Sequence, residues 1–421
     1  MSDDDARVEA DPPEPLSHNR NFRLLWIGQI LSDLGSQFGA LAYPLLILVL
    51  THSPVIAGVA GTVSSLVAFA VRLPAGALAD RVDRRRVMIV TDGVRTTVLA
   101  GLSVAVLEHA IVWPVVLAVA IVDRVGDTIF TPSSTAALPF IVHDSQLEGA
   151  WAATEARQYG ASLAGPAIGG ALFNLGRAVP FIGDTISYGV SVVASRAMRG
   201  TFRTPPSGEP RRGLWSEAFE GLRVIWRDAL LRAVIVQAPL INFAFNGVVF
   251  AVTLSLQHHG TSPAIIGLSQ AGIGLGGLLG AVVAPKIQGR FSVRQLVLIL
   301  TAGGTVFFLL AALIAPSPLM VIAIAVPFFV SPTTNAVLFA ALLRETPEQL
   351  RGRVNNALLQ VATALAALSP LAAGLLVAHT SASWTFVAFA ATLAVSTVLC
   401  LTLKGLREAG SDRGGPRRAG S

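Results

Sequence analysis

Asp33, Asp123, Arg124 and Asp127 stand inside long apolar runs of this chain. An ionised side chain in such a run is unfavourable unless it is paired or functional. Asp33 is about eleven residues into its run, or about 16 Å at 1.5 Å per residue. That depth puts a carboxylate near a bilayer midplane, where it can carry a proton or meet a cation, or sit as a satisfied structural group. Asp123 and Asp127 are one helical turn apart with Arg124 between them. An arginine that meets a carboxylate in one conformation and releases it in another is the minimum a proton-coupled switch requires. A static salt-bridge cluster is the competing reading. Further polar groups in apolar runs are Gln237, Asn242, Asn246, Asn335 and Gln360, all neutral. Asp184 reads as an exposed or capped carboxylate near a helix end. No His/Cys/carboxylate cluster suggests a metal. Cys400 is the one cysteine, so no disulfide or thiolate metal site is expected.

Composition says what must position these groups. The chain has 421 residues, 53% hydrophobic and 13% charged, with mean hydropathy +0.64. A soluble protein carries about 25% charged residues. The apolar runs reach the roughly 20 residues that cross a bilayer. Twelve such spans can be read: 22–50, 54–78, 87–107, 111–138, 152–175, 179–198, 230–257, 264–287, 293–315, 318–343, 355–379 and 384–403. The basic residues fall almost wholly in the even-numbered gaps and the two tails, while the odd-numbered gaps hold Arg177. That asymmetry predicts cytoplasmic termini and explains the basic balance without nucleic acid. Residues 1–21 are acidic and Pro-rich and read as a disordered tail. Residues 404–421 read the same way. Residues 199–229 form a polar linker, in which Leu214, Phe219, Leu222 and Ile225 share a helical face suited to a membrane surface.

The halves 22–198 and 230–403 repeat. Ser53-Pro54-x-Ile56-x-Gly58 recurs as Ser262-Pro263-x-Ile265-x-Gly267, and at the same offset Arg81 and Arg85 recur as Arg290 and Arg294. Leu147 and Pro166 are echoed by Leu350 and Pro370. Duplication in parallel places a site between the halves near the midplane.

Between the second and third spans the chain reads Gly76-x-Leu78-Ala79-Asp80-Arg81-x-x-Arg84-Arg85. Gly76 would allow close helix approach. Asp80, Arg81, Arg84 and Arg85, with Asp92 and Arg95 on one face of the next helix, would form a latch that two helices make and break. This stretch resembles the loop motif of the major facilitator superfamily, with Asp83 where that family often has Gly. In the fifth span, Tyr159 to Gly170 reads YGASLAGPAIGG. Gly160, Gly165, Gly169 and Gly170 favour close packing and Pro166 removes a helical hydrogen bond. It is similar to the motif of the superfamily's exporters. Arg124 stands roughly where the family's fourth helix has an arginine associated with proton transfer, with Thr128 in place of its usual Gly. The loops LPFIVHDSQLEGA and RETPEQLRGRVNNA resemble the drug- and siderophore-exporter branch.

The resemblance implies an all-α membrane protein, twelve transmembrane helices in two pseudo-symmetric six-helix halves, in the plasma membrane. It implies a monomeric secondary transporter that exports a hydrophobic or amphipathic small molecule and takes up protons by alternating access. The chain has no nucleotide-binding P-loop, and no cofactor is expected. An importer or facilitator of a small metabolite is the alternative. A membrane-bound enzyme or lipid-handling protein would need a nucleophile or metal constellation that is not found.

Overall fold

The computed structural model describes residues 15–200, 202–203, 222–347 and 350–403, without the side chains of 77, 79–81, 343 and 345. The described residues form helices and turns, with no strand. In chain order the long helices are α1 (Arg20–Thr51), α2 (Pro54–Arg81), α3 (Arg84–Leu107), α4 (Trp113–Ala137), α5 (Leu147–Leu175), α6 (Val179–Ala197), α7 (Ala229–His258), α8 (Pro263–Ile287), α9 (Val293–Ile314), α10 (Met320–Glu345), α11 (Arg351–Ala364), α12 (Ser369–His379) and α13 (Ala382–Thr402). Among them, nine segments are long and apolar enough to cross a membrane, α11 and α12 together counting as one. The three that fail this apolar test are α4, with its three charged residues, and the small- and polar-rich α5 and α6. Large apolar side chains face outward all round: Leu313 is 80% exposed, Val193 68% and Leu268 65%. In water such a surface would aggregate; in lipid it is the normal exterior.

Local sequence sets the helix ends. Ser53 caps α2, accepting from Ile56 N at 3.4 Å, and Pro54 opens it without a missing donor. Ser262 and Pro263 take the same places before α8, though there the serine makes no side-chain cap. Asp83 caps α3 through the amides of Arg85 and Arg86. The eleventh span is expected as one helix but breaks into α11 and α12. Pro370 has no N–H to give to Ala366 and its ring crowds that carbonyl. A short 3₁₀ turn at Ala366–Leu368 intervenes, and Ser369 Oγ donates to Ala366 O at 2.8 Å. The fifth span begins at Leu147, before the expected 152, which places Arg157 well inside the helix.

Helices α1, α3, α4 and α6 pack closely together, with α2 against α4 and α5 against α1. Helices α7 to α13 form a second group, in which α8 packs on α10 and α9 on α13. The groups meet through two crossings, α5 on α8 and α2 on α12. Both are backbone-close. A Cβ on Gly170 would lie 2.4 Å from Pro263 O and 2.9 Å from Gly267 Cα. A Cβ on Gly374 would lie 2.4 Å from Pro54 O and 3.0 Å from Gly58 Cα. The repeated Pro-x-x-x-Gly spacing therefore serves one purpose four times, in α2, α5, α8 and α12. Leu371 N also donates to Thr62 Oγ1 at 2.9 Å across the second crossing.

Several expectations need correction. Gly76 and Gly160 have open space where a Cβ would stand, so neither mediates close packing. Asn19 belongs to the fold, not to a free tail: it caps α1 and donates to Ile141 O at 2.7 Å. Residues 1–14, 204–221 and 404–421 lie outside the described residues, which covers most of the expected surface helix and both tails. The end of that linker turns inward: Ile225 is buried with Leu231, Ile235, Leu342 and Val354.

A leucine at Gly170 must overpack against the α8 backbone, a cost of about 1–3 kcal/mol. Gly170→Leu should therefore weaken closure at this end of the bundle. A cysteine introduced by Ser64→Cys in a Cys400→Ser background should label several-fold faster with a membrane-impermeant maleimide from that side. Unchanged labelling would mean the crossing does not hold this end shut.

Candidate functional site: a central cavity backed by a buried arginine

Between the two groups lies a cavity of about 400 Å³. Its α1 wall is Gln37, Ala40, Leu41, Pro44 and Ile47, a run at three- and four-residue spacing that defines one helix face. On α7 the same spacing gives Asn246, Val249, Phe250 and Thr253. Ser64 and Ser65 of α2, Gln270 of α8 and the broken stretch at Ser369 and Pro370 contribute polar groups. Thr253 and Gln270 hydrogen bond to one another. The charged lining comes from Arg95, Asp123, Arg124 and Asp127, all on α3 and α4.

Arg95 is the organising side chain. It is 1% exposed, and its donors spread over four elements. Nε donates to Asp123 Oδ1 on α4 at 2.8 Å. Nη1 donates to Asp92 Oδ1 on its own helix at 3.3 Å. Nη2 donates to Ser36 Oγ on α1 at 3.1 Å and to the Tyr188 hydroxyl on α6. The guanidinium also lies over the Tyr188 ring, 3.7 Å from its centroid. Asp123 takes a further bond from Tyr43 OH on α1 at 3.2 Å. A planar fork with five donors can tie four helices together in a way a lysine cannot.

Asp92 and Arg95 thus pair, as their spacing suggests, but they belong to this interior cluster on α1, α4 and α6. Arg85 reaches α6, its Nε donating to Ser195 O at 2.9 Å, while Arg84 donates to Phe202 O, beyond the end of that helix, at 3.1 Å. Arg84 also lies over the Phe140 ring. Arg85 sits on the carbonyl end of α6, where the helix dipole favours a cation. The two arginines tie the start of α3 to the end of α6 and to the chain just beyond it. The Asp80 and Arg81 side chains lie outside the described set.

The other expected groups separate into three. Asp33 pairs with Arg157 on α5 and is not part of the cavity wall. Arg124 faces the cavity, 54% exposed, and pairs with Asp127 at 3.3 Å; Asp123 takes Arg95 instead. Asn246 lines the cavity, while Asn335 does not. Asn242 bonds back to Ala238 O, Gln237 is buried against Ser396, and Gln360 donates to Phe69 O at 3.3 Å. In the fifth span Gly165 and Gly169 press on Gln37 and Phe38 of α1, Gly170 on α8, and Pro166 lines the cavity. Asp184 is fully buried, not exposed. Ser36, Tyr43, Thr253, Gln270 and Ser369 escaped the sequence reading; their signal is a polar side chain in step with the apolar face of its helix.

Removing Arg95 would leave buried carboxylates without a cation, at about 3–5 kcal/mol for a broken buried pair. Arg95→Met should lower the thermal midpoint in detergent well beyond the effect of Arg124→Met, whose exposed pair contributes about 0–1 kcal/mol. Equal midpoints would remove Arg95 as the keystone.

Comparison with known proteins follows the same lines. A family model described as transmembrane secretion effector matches residues 11–416. The enterobactin exporter EntS of Citrobacter koseri is 26% identical over 348 residues, 80% of each chain. The multidrug efflux pump Tap of Mycobacterium tuberculosis is 25% identical over 401 residues, 91% of this chain and 94% of that one. Among solved structures, a bacterial homologue of the lysosomal transporter Spinster aligns with TM-score 0.70 at 14% identity, over 94% of this chain and 99% of that one. The nucleoside transporter NupG aligns with TM-score 0.72 at 10% identity, over 91% and 99%. An all-helical bundle of two packed groups around one cavity, and a family match over nearly the whole length, lead to one conclusion: this chain belongs to the transmembrane secretion effector family of the major facilitator superfamily and is a multi-pass membrane transporter.

Proposed function

We propose that this protein is a secondary active exporter of hydrophobic or amphipathic small molecules, driven by proton antiport and alternating access. The observation that carries the reading is the asymmetry of the cavity. Its charged groups come from α3 and α4, while α7, α8 and α12 offer amides, hydroxyls and apolar surface. One wall is suited to protons and the other to a substrate with mixed polar and apolar character. The exporter names of the two relatives support the direction, as does the fifth-span sequence from Gly160 to Gly170.

In this reading residues 22–198 and 230–403 are the two moving halves, twelve crossings in all, joined by 199–229. The chain works as a monomer in the plasma membrane with both termini cytoplasmic. The glycine crossings then close the extracellular end, and the cavity loads from the cytoplasm or inner leaflet. Asp123 is the coupling carboxylate, because it lines the cavity and is held by Arg95. Protonating it weakens its hold on Arg95, which frees α4 from α3. Asp33 and Arg157 form a second pair, between α1 and α5, that separates when those helices part.

A compound panel in a pump-deficient bacterial host tests this, with macrolides, dyes, phenicols and siderophores. Wild type should raise resistance to at least one class, and Asp123→Asn should abolish the resistance at equal expression. Resistance fully kept by Asp123→Asn would sink the coupling role. No resistance to any class would sink drug export and favour a metabolite carrier.

A further inference from the structure

Two glycines on α1 make room for a carboxylate that the cavity does not touch. Asp184 on α6 is fully buried. A Cβ on Gly35 would lie 2.2 Å from its Oδ1, and one on Gly39 would lie 3.3 Å from its Oδ2. The same Gly39 position is 3.7 Å from Oδ2 of Asp123. The two carboxylates therefore converge on one bare stretch of α1 backbone. Asp184 Oδ1 accepts from Ser187 Oγ at 3.3 Å, while Oδ2, the atom turned toward Asp123, has no hydrogen-bond partner among the described residues.

The groups around this carboxylate are Tyr43 on α1, Asp92 and Arg95 on α3, Asp123 on α4, and Ser187 and Tyr188 on α6. With Asp184 itself they make three carboxylates and one guanidinium. Arg95 gives its hydrogen bonds to Asp123, Asp92, Ser36 and Tyr188, and Asp184 receives none of them. Arginine keeps its charge in proteins. Ionising all three acids would leave two uncompensated charges at buried positions, and such groups neutralise instead. The acid with no cation on it is the one to hold the proton.

We propose that Asp184 is a proton store behind the cavity: it holds a proton in this conformation and exchanges it with the cavity through Asp123. This rests on the antiport reading above and adds to it a second carboxyl and a route. The proton leaves an oxygen of the Asp184 carboxyl, passes to the Asp123 carboxylate across the space over Gly39, and goes from there to water in the cavity. No other bond changes.

Infrared spectroscopy of the purified protein in liposomes near neutral pH tests it without a substrate. Wild type should show the carbonyl stretch of a protonated carboxylic acid. Asp184→Asn should lose the part of that band due to one carboxyl, and Asp33→Asn should retain it. Asp123→Asn should keep the band but slow its isotope shift several-fold after transfer to D₂O. Equal bands in wild type and Asp184→Asn would overturn the store. An isotope shift of unchanged rate in Asp123→Asn would overturn the route. Because Asn mimics a neutral acid, Asp184→Asn should keep the wild-type thermal midpoint; a large fall would show that the charge itself is required, and would also overturn the store. Failure of wild type to transport under a pH gradient would defeat the antiport reading and leave the band unaffected.

Discussion

A guanidinium that is 1% exposed inside an apolar bundle dictates much of what surrounds it. Such a cation is tolerated only with its donors satisfied and its charge met. Arg95 satisfies this by drawing on α1, α3, α4 and α6 at once. The N-terminal group of helices is therefore bound by polar chemistry at its centre. The core of the other group includes Phe245, Phe308 and Phe389 with aliphatic neighbours, and the buried contact of Gln237 with Ser396 is neutral. The halves share an ancestry visible in sequence and have divided the work. In the antiport reading proposed above, one responds to protonation and the other is its apolar partner.

The same division explains the cavity. Its wall is continuous, but only one side can change charge. In the antiport reading, a conformational change biased by protons begins where a carboxylate meets Arg95 and passes through α4, which carries Asp123, Arg124 and Asp127. The exposed pair of Arg124 and Asp127 is in a wetter position than Asp123 and is correspondingly weaker.

How much of this was legible beforehand follows the range of the interactions. Helix existence, the repeat and the packing role of Gly170 were readable because each depends on residues a few positions apart. The break at Pro370 was readable in principle, since Pro ends a helical bond wherever it falls, but an apolar run conceals it. Charge partners on different helices were not readable. Arg124 is next to Asp123 in sequence, yet neighbours on a helix point about 100° apart, and Arg95 from another helix takes the carboxylate instead. Asp33 similarly found Arg157 on α5. Asp184 was misjudged because its burial depends on Gly35 and Gly39, two absent side chains on a helix far away in sequence. Gly76 erred the other way: a motif glycine faces open space.

The two glycine crossings have a consequence of their own. Each is made from backbone carbonyls and Cα atoms, with a single threonine hydroxyl and no ionisable group in the contact. Closure at that end is a matter of shape and dispersion, so ionic strength and pH act on it only indirectly. In the antiport reading the Arg95 cluster is the opposite, responsive to protons and insensitive to small changes of fit at the crossings. The bundle therefore has two controls, one mechanical and one electrostatic, set by different solution variables. Membrane thickness and lateral pressure would act on the first, and the proton gradient on the second.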